Sequence, residues 1–156
     1  MIVLFIIIGG FLYMKTISFS INQIISLYKS LVTKYASLYG VPEYLVYAII
    51  KIESNGNQFA TGATPDIGLM QITNPALTDF NRVTGKNYSL FNLYNPNKNI
   101  EVGVWYLAYL KSITNSTWYE VTKCYNVGIG NWQKDKNNGS EYADKVDTAI
   151  KLQSKP

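Results

Sequence analysis

Apolar side chains recur every three or four residues along most of the chain, which is the spacing of one face of an α-helix. The first such stretch contains Ile21, Ile24, Ile25, Tyr28, Leu31, Val32, Tyr35 and Leu38. Gly40 follows it, where a glycine can adopt the left-handed conformation that ends a helix. Pro42 suits the first turn of a second helix over residues 43–54, whose side chains are apolar nearly all round. The pattern therefore places this second helix at the centre of the core.

Residues that accept hydrogen bonds from free backbone N–H groups mark where later helices begin. In chain order these starts are Thr73 or Asn74 with Pro75, Asn95 with Pro96, Thr117 with Glu120, and Ser140. The expected breaks are a loop over 55–68, Gly85, a small hairpin or irregular loop near 86–94, and Gly128, Gly130 and Asn131. No segment alternates convincingly as a strand does. The pattern predicts one mostly α domain over residues 21–156.

The first fourteen residues, MIVLFIIIGGFLYM, carry no charged side chain. They fall short of the roughly 20 apolar residues that span a bilayer, but match the apolar core of a secretory signal. Ser18 and Ser20 suit cleavage after Ser20, although no basic residue precedes the run. We therefore predict a signal peptide or membrane anchor over residues 1–20, with membrane contact through residues 1–14 if uncut. The domain is then expected in the periplasm or cell wall. A buried core helix or strand is the alternative.

Composition narrows the chemistry that this chain can perform. Of its 156 residues, 47% are hydrophobic, and 14 basic against 10 acidic residues give a net charge of +4. That charge suits a polyanionic partner, but the bases form no cluster, so a nucleic-acid partner is disfavoured. The absence of histidine excludes Ser–His and Cys–His nucleophile pairs and ordinary His-ligated zinc. Cys124, the single cysteine, allows no internal disulfide and is expected to be buried. Because there is no histidine, any acid–base chemistry at neutral pH must use carboxylate, Lys or Tyr side chains.

Glu53 stands at the end of the most apolar predicted helix and directly before a loop. A carboxyl at that junction would face a cleft among desolvated neighbours, which raises its pKa. The partial negative charge at the helix C-terminus acts in the same direction. A raised pKa is what a general acid at neutral pH requires. From periodicity alone, a solvated glutamate without a role is the more frequent outcome.

Five short motifs in the surrounding sequence instead favour a functional role for Glu53. They are Glu53-Ser54-Asn55, Gly68-Leu69-Met70-Gln71-Ile72, Asn99-Ile100-x-x-Gly103 with Tyr106-Leu107, Tyr125-Asn126-x-Gly128, and Tyr142-x-x-Lys145-Val146. Their order and spacing resemble the lytic transglycosylases of the soluble type, which have the goose-lysozyme-like fold. The resemblance covers roughly residues 34–150. Each motif alone is weak, but five in the right order are specific, and they imply a lysozyme-like helical domain.

One stretch, Pro65-Asp66-Ile67-Gly68-Leu69-Met70-Gln71, looks most like the small transglycosylases attached to conjugation, type III secretion and pilus machines. This narrower resemblance implies such an assembly as a partner. Many family members carry Gly-Ala where this chain has Pro65-Asp66. Many also carry a serine at the position of Gly62, where it contacts the substrate or the catalytic end.

The resemblance assigns roles residue by residue. It implies that Glu53 is the single catalytic acid and base, that Gln71 lines the cleft and positions sugar, and that Tyr142 approaches the catalytic carboxyl. The other motif positions expected around the substrate are Tyr125 and Asn126, which hydrogen-bond near the carboxyl and the N-acetyl group, and Ser54 and Met70, whose usual duty is packing and turn structure.

The implied reaction cleaves the β-1,4 bond between N-acetylmuramic acid and N-acetylglucosamine in peptidoglycan and closes a 1,6-anhydro ring. It needs one carboxylate and no metal or cofactor. Asp66 leaves an alternative open. At roughly 6.5–9.5 Å from Glu53 it could activate water, as in an inverting muramidase. Asp66 is otherwise a turn residue. A non-catalytic glycan-binding module is a third hypothesis.

Four further residues complete the expectations. Glu43, Asp79 and Glu101 lie on predicted helices and are expected to be solvated. Trp132 stands in a stretch rich in Gly and Asn, after the Tyr-Asn motif. It is the best additional candidate for a contact with sugar.

Overall fold

Helices make up most of the structure, a computed structural model that describes residues 2–8, 11–17, 19–62 and 64–153. The helices are α1 (Ile21–Tyr39), α2 (Glu43–Ser54), α3 (Asn74–Thr84), α4 (Pro96–Thr114), α5 (Trp118–Val127), α6 (Ile129–Lys134) and α7 (Ser140–Gln153). A 3-10 helix spans Leu90–Tyr94. The prediction of a mostly α domain is confirmed.

Several helices begin and end at the capping residues that the sequence predicts. Gly40 and Gly85 adopt left-handed backbone angles, with φ of 69° and 71°, immediately after α1 and α3. Thr73 and Asn95 accept hydrogen bonds from backbone N–H groups in the first turns of α3 and α4. Because these bonds satisfy N–H groups that have no partner within the helix, a single residue fixes each boundary.

The core is centred on α2, which packs against α1 and α7, while α4 packs against α1 and α5. The buried side chains of α2 are Leu45, Val46, Tyr47, Ala48, Ile49, Ile50 and Ser54. Burying each large aliphatic side chain contributes about 1.5–3 kcal/mol, so the end of α2 is held rigidly in place. This matters because Glu53 lies in that last turn.

The N-terminal residues differ from the sequence expectation of no strands. The backbone of β1 (Ile2–Ile8) pairs antiparallel with β2 (Phe11–Ile17), with Ile2 opposite Ile17 and Ile8 opposite Phe11. A run of Ile and Val favours extended backbone, although it shows no alternation of apolar and polar side chains. No helix of the described residues is long and apolar enough to cross a membrane. A signal peptide or anchor over residues 1–20 stays a prediction.

Two local predictions are confirmed only in part. The stretch 86–94 begins as an irregular loop, as one alternative predicted, but ends in the 3-10 helix, because Ser89 and Asn92 form a reciprocal capping box that turns the chain. Gly128, with a φ of 78°, breaks the chain between α5 and α6 as predicted, but Gly130 and Asn131 lie inside α6. Thr117 caps α5 as expected by accepting a hydrogen bond from the backbone of Glu120.

Candidate active site

Glu53 lies half-buried in the last turn of α2, at the edge of the core. Burial raises the pKa of its carboxyl from 4.5 to about 7, a hydrogen bond from Tyr142 opposes the rise, and the negative charge of Asp66 adds to it. Desolvation wins because an ionised carboxylate loses more solvation in the cleft than one hydroxyl donor returns. At neutral pH this carboxyl is therefore present in both the acid and the base form.

Tyr142 reaches Glu53 from a helix that is 89 residues away in sequence. Its hydroxyl donates a short hydrogen bond to Oε1 of Glu53. The contact exists because α7 packs directly against α2. Burial and the nearby Glu53 charge raise the pKa of Tyr142 well above 10, so its hydroxyl stays protonated and acts as a donor. The geometry brings these two predicted residues together.

A tight turn over residues 67–72 carries Gln71 into the site. Ile67 and Ile72 pair across this turn, with N···O distances of 3.1 and 3.0 Å in the two directions. Gln71 adopts a φ of 47°, and its side-chain Nε2 donates to the carbonyls of Gly68 at 2.9 Å and Ala60 at 3.2 Å. Because the amide nitrogen is held in this way, the orientation of the Gln71 side chain is fixed before any ligand binds.

Three side chains, one each from α2, α4 and α5, form hydrogen bonds with the backbone of this turn. Asn99 Oδ1 accepts from the backbone N–H of Met70 at 2.8 Å, and Tyr125 Oη donates to the Met70 carbonyl at 2.7 Å. Ser54 Oγ donates to the carbonyl of Leu69 at 2.8 Å. The turn is therefore tied to α2, α4 and α5 at once. Ser54 and Met70 are both buried, so their side chains lie in the packing rather than on the cleft surface.

The turn needs a glycine at position 68 for two reasons, its backbone conformation and the space around it. Its φ of 78° is a conformation that residues with a Cβ rarely adopt. A Cβ there would also collide with Nδ2 of Asn99 and the carbonyl of Leu93. Asn99, fully buried, donates from that same nitrogen to the carbonyls of Ile67 at 2.7 Å and Leu93 at 2.9 Å. Glycine at position 68 therefore leaves the space that the Asn99 side chain occupies.

A cavity of about 390 Å³ opens beside the turn and collects the remaining predicted site residues. Its lining includes Asp66, Gln71, Tyr106, Tyr125 and Asn126. The charges of Glu53 and Asp66 each help to raise the pKa of Tyr125, which places all three groups within electrostatic reach of one another. The site therefore combines one carboxyl of raised pKa with a nearby cavity that several polar side chains line.

Asp66 lies half-buried in the lining of this cavity. Its Oδ2 accepts a hydrogen bond from Thr64 Oγ1 at 2.9 Å, which is the local turn bond expected of an aspartate in this position. The position of Gly62 leaves little room for a larger side chain. A Cβ there would lie 3.2 Å from Oε1 of Gln71 and 3.1 Å from the carbonyl of Thr64. A serine at this position would press on the glutamine.

Three other expectations can be compared with the structure. Trp132 is wrong as a sugar contact, because it is buried in α6 and its Nε1 donates to Glu120 at 2.7 Å. Glu101 is wrong as a solvated residue, since it is 5% exposed and paired with Lys86 and the hydroxyl of Tyr88. Cys124 is buried, as expected.

Sequence reasoning missed two contributors to the site. Tyr106 and Asn99 were recognised only as members of a motif, but Tyr106 lines the cavity and Asn99 holds the turn. The signal that could have identified Asn99 is an amide directly before the apolar stripe that begins at Ile100, because a buried amide needs hydrogen-bond partners. Among the described residues, no group of three or more Asp, Glu or Cys side chains could hold a metal ion.

The raised pKa of Glu53 predicts a pH-dependent effect of Glu53→Gln on stability. A carboxyl with a higher pKa in the folded chain destabilises the fold as the pH rises above 4.5, and this effect is complete above about 7. We expect Glu53→Gln to stabilise the protein by about 3 kcal/mol at pH 8 and by little at pH 4. Urea unfolding at both pH values measures this. A difference that is the same at both would show that Glu53 is not desolvated.

The comparisons with known proteins agree on one family. The family described as "Transglycosylase SLT domain" matches residues 30–148. Membrane-bound lytic murein transglycosylase C of Photorhabdus laumondii is 33% identical over 133 residues, covering 76% of this chain and 37% of the relative. The protein of the same name in Yersinia pestis is 37% identical over 124 residues, covering 70% of this chain and 35% of the relative. The chain thus spans about a third of the length of these curated relatives.

Solved structures show the same fold. Lytic transglycosylase Slt from Pseudomonas aeruginosa, as an inactive mutant, superposes with a TM-score of 0.73 at 21% identity, covering 86% of this chain and 26% of that one. The 70 kDa soluble lytic transglycosylase of Escherichia coli gives a TM-score of 0.66 at 23% identity, covering 82% of this chain and 22% of that one.

Proposed function

The chain belongs to the transglycosylase SLT family, and from that membership we propose that it is a lytic transglycosylase of peptidoglycan. It cleaves the β-1,4 bond between N-acetylmuramic acid and N-acetylglucosamine, with Glu53 as the single acid and base. The observation that carries the proposal is the Glu53 carboxyl, which has a pKa of about 7, receives a hydrogen bond from Tyr142 and lies within electrostatic reach of Asp66 and Tyr125 in the cavity lining.

In the first step Glu53 acts as an acid. Its protonated carboxyl donates a proton to the oxygen that bridges the two sugars, and the bond from that oxygen to C1 of the muramyl residue breaks. The N-acetyl oxygen of the substrate stabilises the positive charge that develops at C1. Tyr142 continues to donate to the carboxylate that remains, which lowers the energy of the ionised form. A carboxyl with a pKa near the working pH serves this step well.

In the second step the same carboxylate acts as a base. It removes the proton from the C6 hydroxyl of the muramyl residue, and the C6 oxygen attacks C1. A 1,6-anhydro ring forms, no water is consumed, and Glu53 returns to its protonated form. Gln71 is suited to position the sugar, because its side chain is already held by the carbonyls of Gly68 and Ala60. Pre-organised groups need no rearrangement when the charge develops.

A muramidase that hydrolyses the same bond is the second candidate. The hypothesis that Asp66 activates water is supported by two observations: Asp66 lines the cavity, and its charge acts on Glu53. Its hydrogen bond from Thr64 agrees equally with a role in the turn. We favour the turn role, since one carboxyl suffices for the transglycosylase reaction.

Asp66→Asn separates the two candidates. Loss of an essential base would lower the rate of peptidoglycan cleavage by about a hundredfold or more. For a transglycosylase we expect a change within about threefold at the optimum pH, well below the effect of losing an acid or base. Removing the Asp66 charge should also lower the pKa of Glu53, so the alkaline limb of the pH–rate profile should move to lower pH. Rates of muropeptide release across pH measure both effects, with Asp79→Asn as the control. A collapse of the rate at every pH would favour the muramidase.

The place and partners of this reaction follow from the substrate. Peptidoglycan lies outside the cytoplasm, so we propose that the domain works in the periplasm or cell wall. Export or anchoring through residues 1–20 would bring it there, with membrane contact through residues 1–14 if they are kept. The sequence around Pro65-Asp66 supports a further proposal, that the enzyme opens the wall for a secretion, conjugation or pilus assembly.

A further inference from the structure

Three aromatic side chains meet on the surface formed by the loop after α2 and the 3-10 helix. The ring centroid of Tyr94 lies 6.4 Å from that of Phe59 and 6.1 Å from that of Phe91. Phe59 is 64% exposed and Phe91 is 80% exposed, although both side chains are large and apolar. We call these three residues the aromatic patch. Clustered exposed apolar side chains mark a surface that binds a partner or a membrane.

The aromatic patch is separate from the candidate active site. Among the described residues, those that line the cavity beside Gln71 do not include Phe59, Phe91 or Tyr94. The ring plane of Tyr94 is inclined by 35° to that of Phe59 and by 73° to that of Phe91. The three rings therefore form no flat platform on which a sugar could stack, and the patch protrudes from the surface.

An exposed stripe of α1 extends this surface. Leu27, Lys34 and Leu38 lie on one side of the helix because they are seven and four residues apart, and all three are exposed. Lys34 Nζ donates to Tyr35 Oη at 3.3 Å, and that hydroxyl donates to Asn97 Oδ1 at 3.0 Å. Asn97 lies in the first turn of α4, which follows directly after the 3-10 helix. The stripe thus borders the same part of the molecule as the aromatic patch, and we call the two together the apolar face.

The charge of the apolar face is positive. The parts of the chain that form it lie within residues 1–42, 54–65 and 80–100, and none of these stretches contains Asp or Glu. Lys34 is exposed, and Lys98, in the first turn of α4, is half-buried. Helix α7, by contrast, carries three acidic residues. Lysines beside exposed aromatic and leucine side chains are typical of a surface that contacts anionic lipid headgroups.

We propose that the apolar face lies on the surface of an anionic lipid bilayer, with Phe59 and Phe91 inserted at headgroup depth and Lys34 and Lys98 beside lipid phosphates. Aromatic side chains favour this interfacial region of a membrane. The cavity beside Gln71 stays open in this arrangement, because the residues of the face do not line it. Contact through the folded domain requires neither retention of residues 1–14 nor cleavage of peptidoglycan.

Fluorescence quenching tests the insertion at one position of the full chain. The vesicles contain phosphatidylglycerol and phosphatidylcholine, with bromine on the acyl chains as the quencher. The emission that Phe91→Trp adds to that of the unmodified chain should shift to shorter wavelength and be quenched. Leu152→Trp is the matched control, because Leu152 is 52% exposed but lies on α7, outside the apolar face. Its added emission should stay unquenched, even where residues 1–20 hold the chain on the vesicle.

Cosedimentation with vesicles measures the contribution of single side chains. Phe91→Ser should weaken binding by about tenfold, the size expected when one aromatic ring is left in water. Lys34→Gln should weaken binding to vesicles that contain phosphatidylglycerol by about fivefold and leave binding to pure phosphatidylcholine unchanged. Lys151→Gln removes an exposed lysine of α7 and should change neither. Where residues 1–20 hold every variant on the vesicles, the quenching comparison decides.

Equal quenching of Phe91→Trp and Leu152→Trp would overturn the proposal, and so would the absence of quenching for Phe91→Trp. Retention on purified peptidoglycan that is lost in Phe91→Ser, with vesicle binding unchanged, would assign the face to glycan and also overturn it. Because no readout depends on cleavage, these results are independent of whether the proposed function is correct.

Discussion

Replacing Glu53 by glutamine should lower the rate of peptidoglycan cleavage by at least about a thousandfold, because an amide cannot transfer the proton that a general acid supplies. The fold should survive, since the carbonyl oxygen of glutamine can still accept the hydrogen bond from Tyr142. The same change is expected to stabilise the protein above pH 7. Loss of activity together with gain of stability would separate a chemical role for Glu53 from a structural one.

The control for this substitution lies on the same helix. Glu43→Gln changes a carboxyl in the first turn of α2, at the opposite end from the site, and should leave the cleavage rate within about twofold, as for a surface substitution away from special features. Rates are measured as soluble muropeptides released from purified peptidoglycan. Cleavage by Glu53→Gln at a rate close to that of the unmodified chain would contradict the single-carboxyl mechanism.

Asn99→Ala should destabilise the protein by about 3–5 kcal/mol, although Asn99 touches neither Glu53 nor the cavity. The substitution removes three hydrogen bonds, to the Met70 N–H and to the carbonyls of Ile67 and Leu93. The buried N–H of Met70 would lose its partner, and the carbonyls of Ile67 and Leu93 would each lose a donor, although Ile67 keeps the bond from the Ile72 N–H. Because the turn that carries Gln71 depends on them, activity should fall even in the molecules that remain folded.

Asn97→Ala is the matched control for Asn99. Asn97 lies two residues earlier on α4, and its side chain accepts one hydrogen bond, from Tyr35 Oη at 3.0 Å. Its loss should cost about 1 kcal/mol, the usual net value of one hydrogen bond. Urea unfolding of both variants measures the difference. Equal destabilisation by the two substitutions would show that Asn99 does not hold the turn.

Helix boundaries were the part of the fold that local sequence predicted well. Gly40, Thr73, Gly85 and Asn95 end or begin helices as expected, because capping depends on backbone groups within a few residues. The order of the five motifs also led to the correct family. Both kinds of information are contained in short stretches of chain.

Residues whose environment depends on distant partners were predicted less well. Glu101 looked like a surface residue because Lys86 and Tyr88, 15 and 13 positions away, are brought to it only by the fold. Trp132 looked exposed because its hydrogen-bond partner Glu120 lies on another helix. Helical periodicity gives the face on which a residue lies but not what packs against that face.

The candidate site also combines features that the sequence predicted with contacts that depend on the packing of distant helices. The resemblance associated Glu53 with Tyr142, and their contact arises from the packing of α7 against α2. The pattern of residues around Asp66 left two roles open, since sequence gives no distance between carboxylates.

Mass spectrometry of the muropeptides released from purified peptidoglycan tests the central proposal most directly. A lytic transglycosylase that uses Glu53 as both acid and base releases products that end in 1,6-anhydro-muramic acid. Glu53→Gln should release none of them. Products that are one water heavier and carry a reducing end would contradict the proposal, because they require a water molecule as nucleophile and make Asp66 the residue that activates it.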